Sequence, residues 1–396
     1  MKNLKQILLA SSLLLIPVFL FAYSDPKGWF KCQHGVEENV SNSSQLMSTI
    51  SYEGKLWNFI YYSADHLGNG TIIQRQLTNL GGTDKIDWDS PVKDEDIKEF
   101  QDMGSLYFQP APVIYKNKLY LFFNNQYQEP CYSIYNPSDS TWSKHVKLSQ
   151  SPDDWMIGKG AVATVVDDKV CIVTKLWDNK VYMVWSNDLN VWHVEYLGFN
   201  NGGDSEERFA SLSGISTTIV KDGKRKQVMM VGYVTPDHDA YCASIEFDTL
   251  NNVILPVTRT LISNTREYQC AAIAEGTVTG DPKSTGQCIQ AFLKRENKDD
   301  QSLRYRIIRC QSQNGGSWEE REDNLVKKNY MWANHELNLT VANFAVPDGK
   351  DFRQYMCLIY SGYDDNKKYP FNCAWTETDK AVWLDSVTDT LKDVEN

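Results

Sequence analysis

Six charged residues in this chain share one kind of position, just ahead of a run of apolar residues: Lys159, Arg208, Arg266, Glu267, His335 and Glu336. Arginines and carboxylates can take up neighbouring hydroxyls or an anionic group through paired, charge-assisted hydrogen bonds. An aromatic face such as that of Trp177 can cover the C–H side of a ring. Together these side chains suit a hydroxyl-rich ligand. Glu267 and Glu336 are also two carboxyl groups that could serve as acid and base on a glycosidic bond, provided the fold brings them together. Other polar runs, Asp65-His66, Asp237-His238-Asp239 and Tyr363-Asp364-Asp365, sit between apolar runs. Asp237-His238-Asp239 could touch a cation and Asp364-Asp365 could bind calcium, but neither has enough neighbouring oxygen ligands in sequence, and solvated turns account for both more simply. A GxSxG elbow, an HExxH helix and a phosphate-binding loop are all missing, so no metal or cofactor is expected.

The elements that must carry these residues repeat. Six segments each open on a basic or amide residue and continue as an apolar strand: KLWNFIYYS from Lys55, KLYLFFNNQ from Lys118, KVCIVTKLW from Lys169, QVMMVGYVT from Gln227, QCIQAFLKR from Gln287 and QYMCLIYSG from Gln354. Their starts are 51 to 67 residues apart by subtraction of those positions, close to one four-stranded propeller blade with longer loops. Ahead of each lies another strand and a Gly, Asn or Asp turn, as at Gly54, Asn117, Asp168 and Gly223, which is a hairpin signal. A third strand follows, such as KVYMVWS from Lys180. The 12 Trp, 21 Tyr and 15 Phe favour strands over a helical bundle.

A fourth strand is expected at Trp88, Trp142, Trp192, Trp318 and Trp383. Four residues earlier stand Asp84, Ser138, Asp188, Asn314 and Asp379, each able to accept backbone N–H bonds within a turn. The fourth repeat departs, with Val253 and Ile254 near the Trp position. The stretches SNDLNVW (Ser186 to Trp192) and SQNGGSW (Ser312 to Trp318) resemble degenerate Asp boxes of sialidase-type and lectin-type β-propellers. The family pattern, Ser-x-Asp-x-Gly-x-Thr-Trp, has one more residue before its Trp, and Asn190 replaces its Gly here. The resemblance speaks for fold, since the motif is a turn element remote from the ligand in that family. The expectation is an all-β chain, a six-bladed β-propeller of four-stranded antiparallel blades over 45–391. The last repeat looks complete, so a borrowed N-terminal strand, for which Gly28 to Cys32 would serve, is not required. A five-bladed glycosidase-type propeller with an irregular sixth unit is the alternative.

A propeller gathers the loops before its inner strands, and those between second and third strands, on one face. Lys159, Trp177, Arg208, Arg266, Glu267, His335 and Glu336 are therefore the expected ligand-binding residues. A sialidase resemblance would imply three arginines, a Tyr–Glu pair and an Asp. Arg208 and Arg266 supply two arginines, and Tyr305-Arg306-Ile307-Ile308 resembles the family's Tyr-Arg-Ile-Pro motif but lies late and lacks the Pro. Glu267 and Glu336 remain the candidate catalytic residues, without a complete set around them. The reading is a secreted, lectin-like propeller that binds an extracellular glycan or glycoprotein. A glycoside hydrolase and an extracellular protein-interaction scaffold are the alternatives.

Residues 1–24 read as a signal peptide: Lys2 and Lys5, an apolar run from Ile7 to Ala22, and the small-x-small Ala22-Tyr23-Ser24. That run is too short for a stable membrane span. Residues 25–44 form an N-terminal extension and 392–396 a tail. The formal charge is -11, and loss of the two leader lysines takes it to -13, which disfavours nucleic acid. Nine cysteines fit an oxidising compartment. Disulfides are expected for Cys288 with Cys310 and Cys357 with Cys373, each pair flanking one hairpin, and Cys171 is expected as a buried thiol. Cys32, Cys131, Cys242 and Cys270 remain unassigned. Asn39, Asn42, Asn69 and Asn338 open glycosylation sequons.

Overall fold

A computed structural model describes residues 30–33, 46–62, 70–78, 87–88, 100, 108–148, 156–158, 160–176, 180–200, 211–221, 223–248, 251–264, 268–278, 288–295, 307–321, 338–348, 351–361 and 371–378. Strand β1 (Phe30–Gln33) comes first. Then β2 (Leu46–Tyr52), β3 (Lys55–Tyr62), β4 (Thr71–Thr78) and β5 (Asp87–Trp88) form an antiparallel sheet in chain order. The next sheet holds β6 (Ala111–Tyr115), β7 (Lys118–Asn124), β8 (Pro130–Asn136), β9 (Thr141–Trp142) and β10 (Val146–Lys147). A third follows as β11 (Ala161–Val166), β12 (Lys169–Lys175), β13 (Lys180–Ser186) and β14 (His193–Asn200). In the fourth, β15 (Ser213–Lys221), β16 (Lys224–Val234) and β17 (Ala240–Ile245) precede a two-stranded ribbon, β18 (Phe247–Asp248) with β19 (Val253–Ile254). The outer strand β20 (Thr258–Ser263) then completes that sheet. The fifth is β21 (Tyr268–Glu275), β22 (Ile289–Arg295), β23 (Ile307–Ser312) and β24 (Glu319–Arg321), and the last contains β25 (Thr340–Asp348), β26 (Asp351–Ser361) and β27 (Phe371–Thr378).

The architecture is an all-β propeller of small antiparallel sheets. Its strands form because β-branched and aromatic residues fill both faces, as in β12, where every residue from Lys169 to Lys175 is buried. The hairpin turns follow their residues: Lys116 and Asn117, Asp167 and Asp168, and Glu53 and Gly54 all take positive φ, as the tight turns matching strand twist require.

Two expectations are corrected. The blade count is the first: among the described residues there are five four-stranded antiparallel blades, not six. In the second repeat the outer strand is broken, and β9 and β10 both pair with β8. The last repeat is also incomplete by itself: its sheet runs β1-β27-β26-β25, so its outer strand comes from within residues 25–44. Trp383, expected to open that strand, lies outside the described residues.

Two of the turns before the fourth strands, those of Asp188 and Asn314, close as their side chains suggest, while Asp84 and Asp379 lie outside the described residues. Asp188 Oδ1 accepts the Asn190 and Val191 N–H groups, while Ser186 Oγ accepts those of Asp188 and Leu189. Asn314 Oδ1 accepts from Gly316 and Ser312 Oγ from Gly315. Ser138 does the opposite of what was expected: it donates to Asn136 Oδ1, and Asp139 accepts from Thr141 instead. In the fourth repeat Asp248 accepts from the Asn251 N–H.

The tryptophans join neighbouring sheets. Trp142 Nε1 donates to Gln74 Oε1 on β4 at 2.7 Å, and its ring meets Phe59 and Phe100. Trp192 packs edge-on against Phe122 of β7. Trp318, half-buried, donates to Thr260 Oγ1 on β20. The side chain of Trp88 lies outside the described ones, although its backbone opens β5 against β4 as expected.

A buried carboxylate pins the fourth sheet. Glu246 lies 2.5 Å from Lys221 Nζ and 3.3 Å from Lys226 Nζ. Burial raises its carboxyl, but the two ammonium groups lower it more, and the net shift is downward. Its contribution is therefore full above the ordinary glutamate pKa and fades as pH falls through the lower folded value. Glu246→Gln should flatten the acid-side fall in urea midpoint. An acid limb as steep as the parent's would show that the pair contributes nothing.

Candidate functional site

The inner strands begin in a buried girdle of hydrogen bonds. Gln109, 3% exposed, stands just ahead of β6. Its Nε2 donates to Ser48 Oγ and to the carbonyls of Met47 and Leu212, at 3.1, 3.4 and 2.9 Å. Its Oε1 accepts the N–H groups of Ala161 and Leu212, and its own N–H donates to the Gly158 carbonyl. One amide thus holds the starts of β2, β6, β11 and β15.

Other groups extend the girdle. Ser213 Oγ accepts the Ile273 N–H of β21. The Leu339 backbone bonds to the Cys270 thiol, which burial holds above its usual pKa. Asn338 completes the circuit, its Oδ1 accepting the Met47 N–H at 2.9 Å and its Nδ2 donating to the Met47 carbonyl at 2.8 Å.

The turns between second and third strands lie at this same end. Asn124 exchanges two hydrogen bonds with Ile157, next to Gly158. The next five residues, Asn125 to Glu129, are closed by an N–H to carbonyl bond across the turn, as are Leu176 to Lys180 and Thr235 to Asp239. Asn125 Oδ1 accepts from Tyr127 and Glu129, and Thr235 Oγ1 accepts from Asp239. His238 docks on the start of β21: its carbonyl accepts the Tyr268 N–H, and its Nδ1 faces the Tyr268 carbonyl at 3.1 Å. Carbonyl oxygen only accepts, so Nδ1 carries the proton. The Asp237-His238-Asp239 run is therefore a docking turn between sheets. Glu129, gripped first by Lys147 and then by Asn125, has its carboxyl held below the usual range.

Donors and acceptors of the girdle bond to one another, so it acts as a rigid floor. Lys159, Trp177, Arg208, Arg266, Glu267, His335 and Glu336 lie outside the described residues. In sequence each adjoins this floor: Lys159 stands between Gly158 and Gly160, Arg208 four residues before Leu212, and Glu267 next to Tyr268. Glu336 stands two residues before Asn338, and Trp177 directly follows Leu176. One residue was missed: Tyr127, 72% exposed, in the Asn125 to Glu129 turn. Its signal was the shared turn length of NQYQE and TPDHD, visible only once the second and fourth repeats are aligned.

Asn338 is corrected as a glycosylation site. It is 1% exposed, and both ends of its amide are bonded to Met47. Asn39, Asn42 and Asn69 lie outside the described residues.

The two expected disulfides are also absent, because the strands are out of register for them. Cys310 pairs with Ala291, and Cys288 precedes β22, three residues away. Cys357 pairs with Trp375 while Cys373 pairs with Ile359, a diagonal relation of about 7–8 Å, too wide for a bridge. Cys288, Cys310 and Cys357 are not disulfide-bonded, and Cys171 is a buried thiol as expected.

No family model matches the chain, and no curated protein matches it. Among solved structures it is similar to AofleA from Arthrobotrys oligospora, with 11% identity over 89% of this chain and 94% of that one, at a TM-score of 0.45. It is also similar to the SapL1 lectin in complex with alpha methyl fucoside, with 11% identity over 85% and 96% and a TM-score of 0.44. A Trypanosoma rangeli sialidase shows 12% identity over 88% of this chain and 56% of that one, at 0.47.

Proposed function

We propose that this chain is an exported, lectin-like propeller that binds a glycan over the axial end where its inner strands begin. The observation that supports the reading is the Gln109 girdle. It gathers the starts of several inner strands at one end, and the Arg, Lys, His and Glu residues singled out from the sequence are joined covalently to those starts. A floor that fixes the strand starts fixes where the neighbouring chain segments leave it, which lowers the ordering that binding would require. Lys159, Arg208 and Arg266 would meet an anionic or hydroxyl-rich sugar, while Trp177 and the exposed Tyr127 offer stacking faces. Export would follow from the leader at 1–24.

The test is glycan-array binding with the purified chain. Arg208→Ala and Arg266→Ala should each weaken an anionic sugar about tenfold or more and a neutral sugar less, since a charge-assisted bond is lost. Equal affinity in both variants and the parent, or no glycan bound at all, would overturn the reading. Glu267→Gln should leave binding intact. If the parent also cleaves a glycoside and Glu267→Gln abolishes that turnover, the hydrolase reading replaces the lectin one.

A further inference from the structure

We infer that Cys32 and Cys373 form a disulfide that covalently locks the first strand of the chain onto its last sheet. The two residues are Cα partners in the antiparallel pairing of β1 with β27, between the pairs Lys31 with Ala374 and Gln33 with Asn372. Directly opposed residues in an antiparallel ladder have Cα atoms about 4.5 or 5.5 Å apart. A disulfide needs about 4.4–6.8 Å. Either kind of pair therefore meets the Cα requirement.

No other cysteine in the described strands stands opposite a cysteine. Cys131 faces Phe123 and Lys147, Cys171 faces Thr164 and Trp185, and Cys242 faces Gly232 and Thr260. Cys270 faces Lys294, Cys310 faces Ala291 and Glu320, and Cys357 faces Ala342 and Trp375. The thiols of Cys131, Cys242 and Cys310 are buried, and burial pushes them up to about 12, so they are poor nucleophiles for exchange. The location matters as well. β1 is only four residues long, and its edge pairing with β27 is what makes the last sheet four-stranded. A cross-link there spans nearly the whole chain, which is where loop closure constrains the unfolded state most.

The oxidant is a low-molecular-weight disulfide such as oxidised glutathione. One cysteine thiolate attacks it, releasing one glutathione thiol and leaving a mixed disulfide; the second cysteine displaces the other glutathione. Two S–H bonds are lost from the protein, one S–S bond forms, the reagent's S–S bond breaks, and its two sulfurs leave as thiols with the two protons.

The experiment equilibrates the purified full chain with oxidised and reduced glutathione, blocks thiols with N-ethylmaleimide, and digests without reduction. The expected result is one cross-linked species joining the Cys32 and Cys373 peptides, in a protein two hydrogens lighter than the reduced chain. Its thermal midpoint should fall on reduction, and Cys32→Ser should abolish both the cross-link and that response. Maleimide on Cys32 and Cys373 in the oxidised native chain, or Cys32 linked to a different cysteine, overturns the inference. The peptide map of the parent decides this even if the variant does not fold. It is independent of glycan binding, so the two readings fail separately.

Discussion

Gly158→Ala is expected to destabilise the chain by more than about 4 kcal/mol, in the range reserved for gross core disruption. A Cβ at this position would occupy the space of the Lys175 carbonyl oxygen, a backbone atom that no side-chain rotation can move aside. The Lys175 N–H bonds to Gly160, the Gly158 carbonyl accepts from Gln109, and the Gly158 N–H donates to Thr174 Oγ1. Relieving the clash would therefore break into the girdle itself. Gly54→Ala is the matched control. There φ is +68° and nothing lies within 4 Å of an added Cβ, so only the local strain of about 1 kcal/mol is expected. Urea unfolding followed by tryptophan fluorescence compares the two. Similar midpoints for both variants would mean that the close approach at Gly158 relaxes freely.

The second large effect is expected for Trp142→Ala, at about 3–5 kcal/mol. Trp142 is 6% exposed and lies between two sheets, touching Phe59, Phe100 and Tyr135. Truncation leaves a cavity and strands Gln74 Oε1, which is 2.7 Å from the indole N–H in a buried setting. Trp142→Phe separates the two contributions: it keeps most of the packing and loses the hydrogen bond, for about 1–3 kcal/mol. Trp318→Ala should cost less, because that side chain is half-buried and packs at the edge of its cluster. A Trp142→Ala midpoint indistinguishable from the parent's would show that these rings do not hold the sheets together.

Strand pairing and hairpin turns were readable from the repeat because both obey local rules. Alternating apolar residues ended by YKN or VDD specify a hairpin within a dozen residues, and Ala111 to Asn124 and Ala161 to Lys175 pair as that pattern implies. What escaped was non-local or off by two or three residues. Gly28 to Cys32 can serve as a borrowed strand, but nothing local shows that it is needed, because the sequence around Trp383 looks like a sufficient fourth strand. The expected disulfides failed on register: hairpin flanks were identified, but two or three residues of offset decide whether two cysteines meet. Gln109 was invisible because a lone amide before a strand looks like any loop residue. The charged loop residues that define the proposed site were legible by type and place, and the floor beneath them needed the fold.

The pairing of β1 with β27 has a consequence for synthesis. A chain made from its N-terminus delivers Phe30–Gln33 before the other described strands and the strand it pairs with after them. The Asn338 bonds to Met47, 291 positions apart, impose the same delay one layer further in. Consecutive sheets can form as they emerge, since their strands are near neighbours in sequence, but β1 must wait unpaired until Phe371–Thr378 has been made. During that interval two open sheet edges coexist, one on the first strand and one on the newest sheet, and each is a template for joining another molecule. The slow, high-contact-order step therefore falls at the end of folding. Crowding of nascent chains would favour exchange of the first strand between two copies, each ring then sealed by the other's N-terminus.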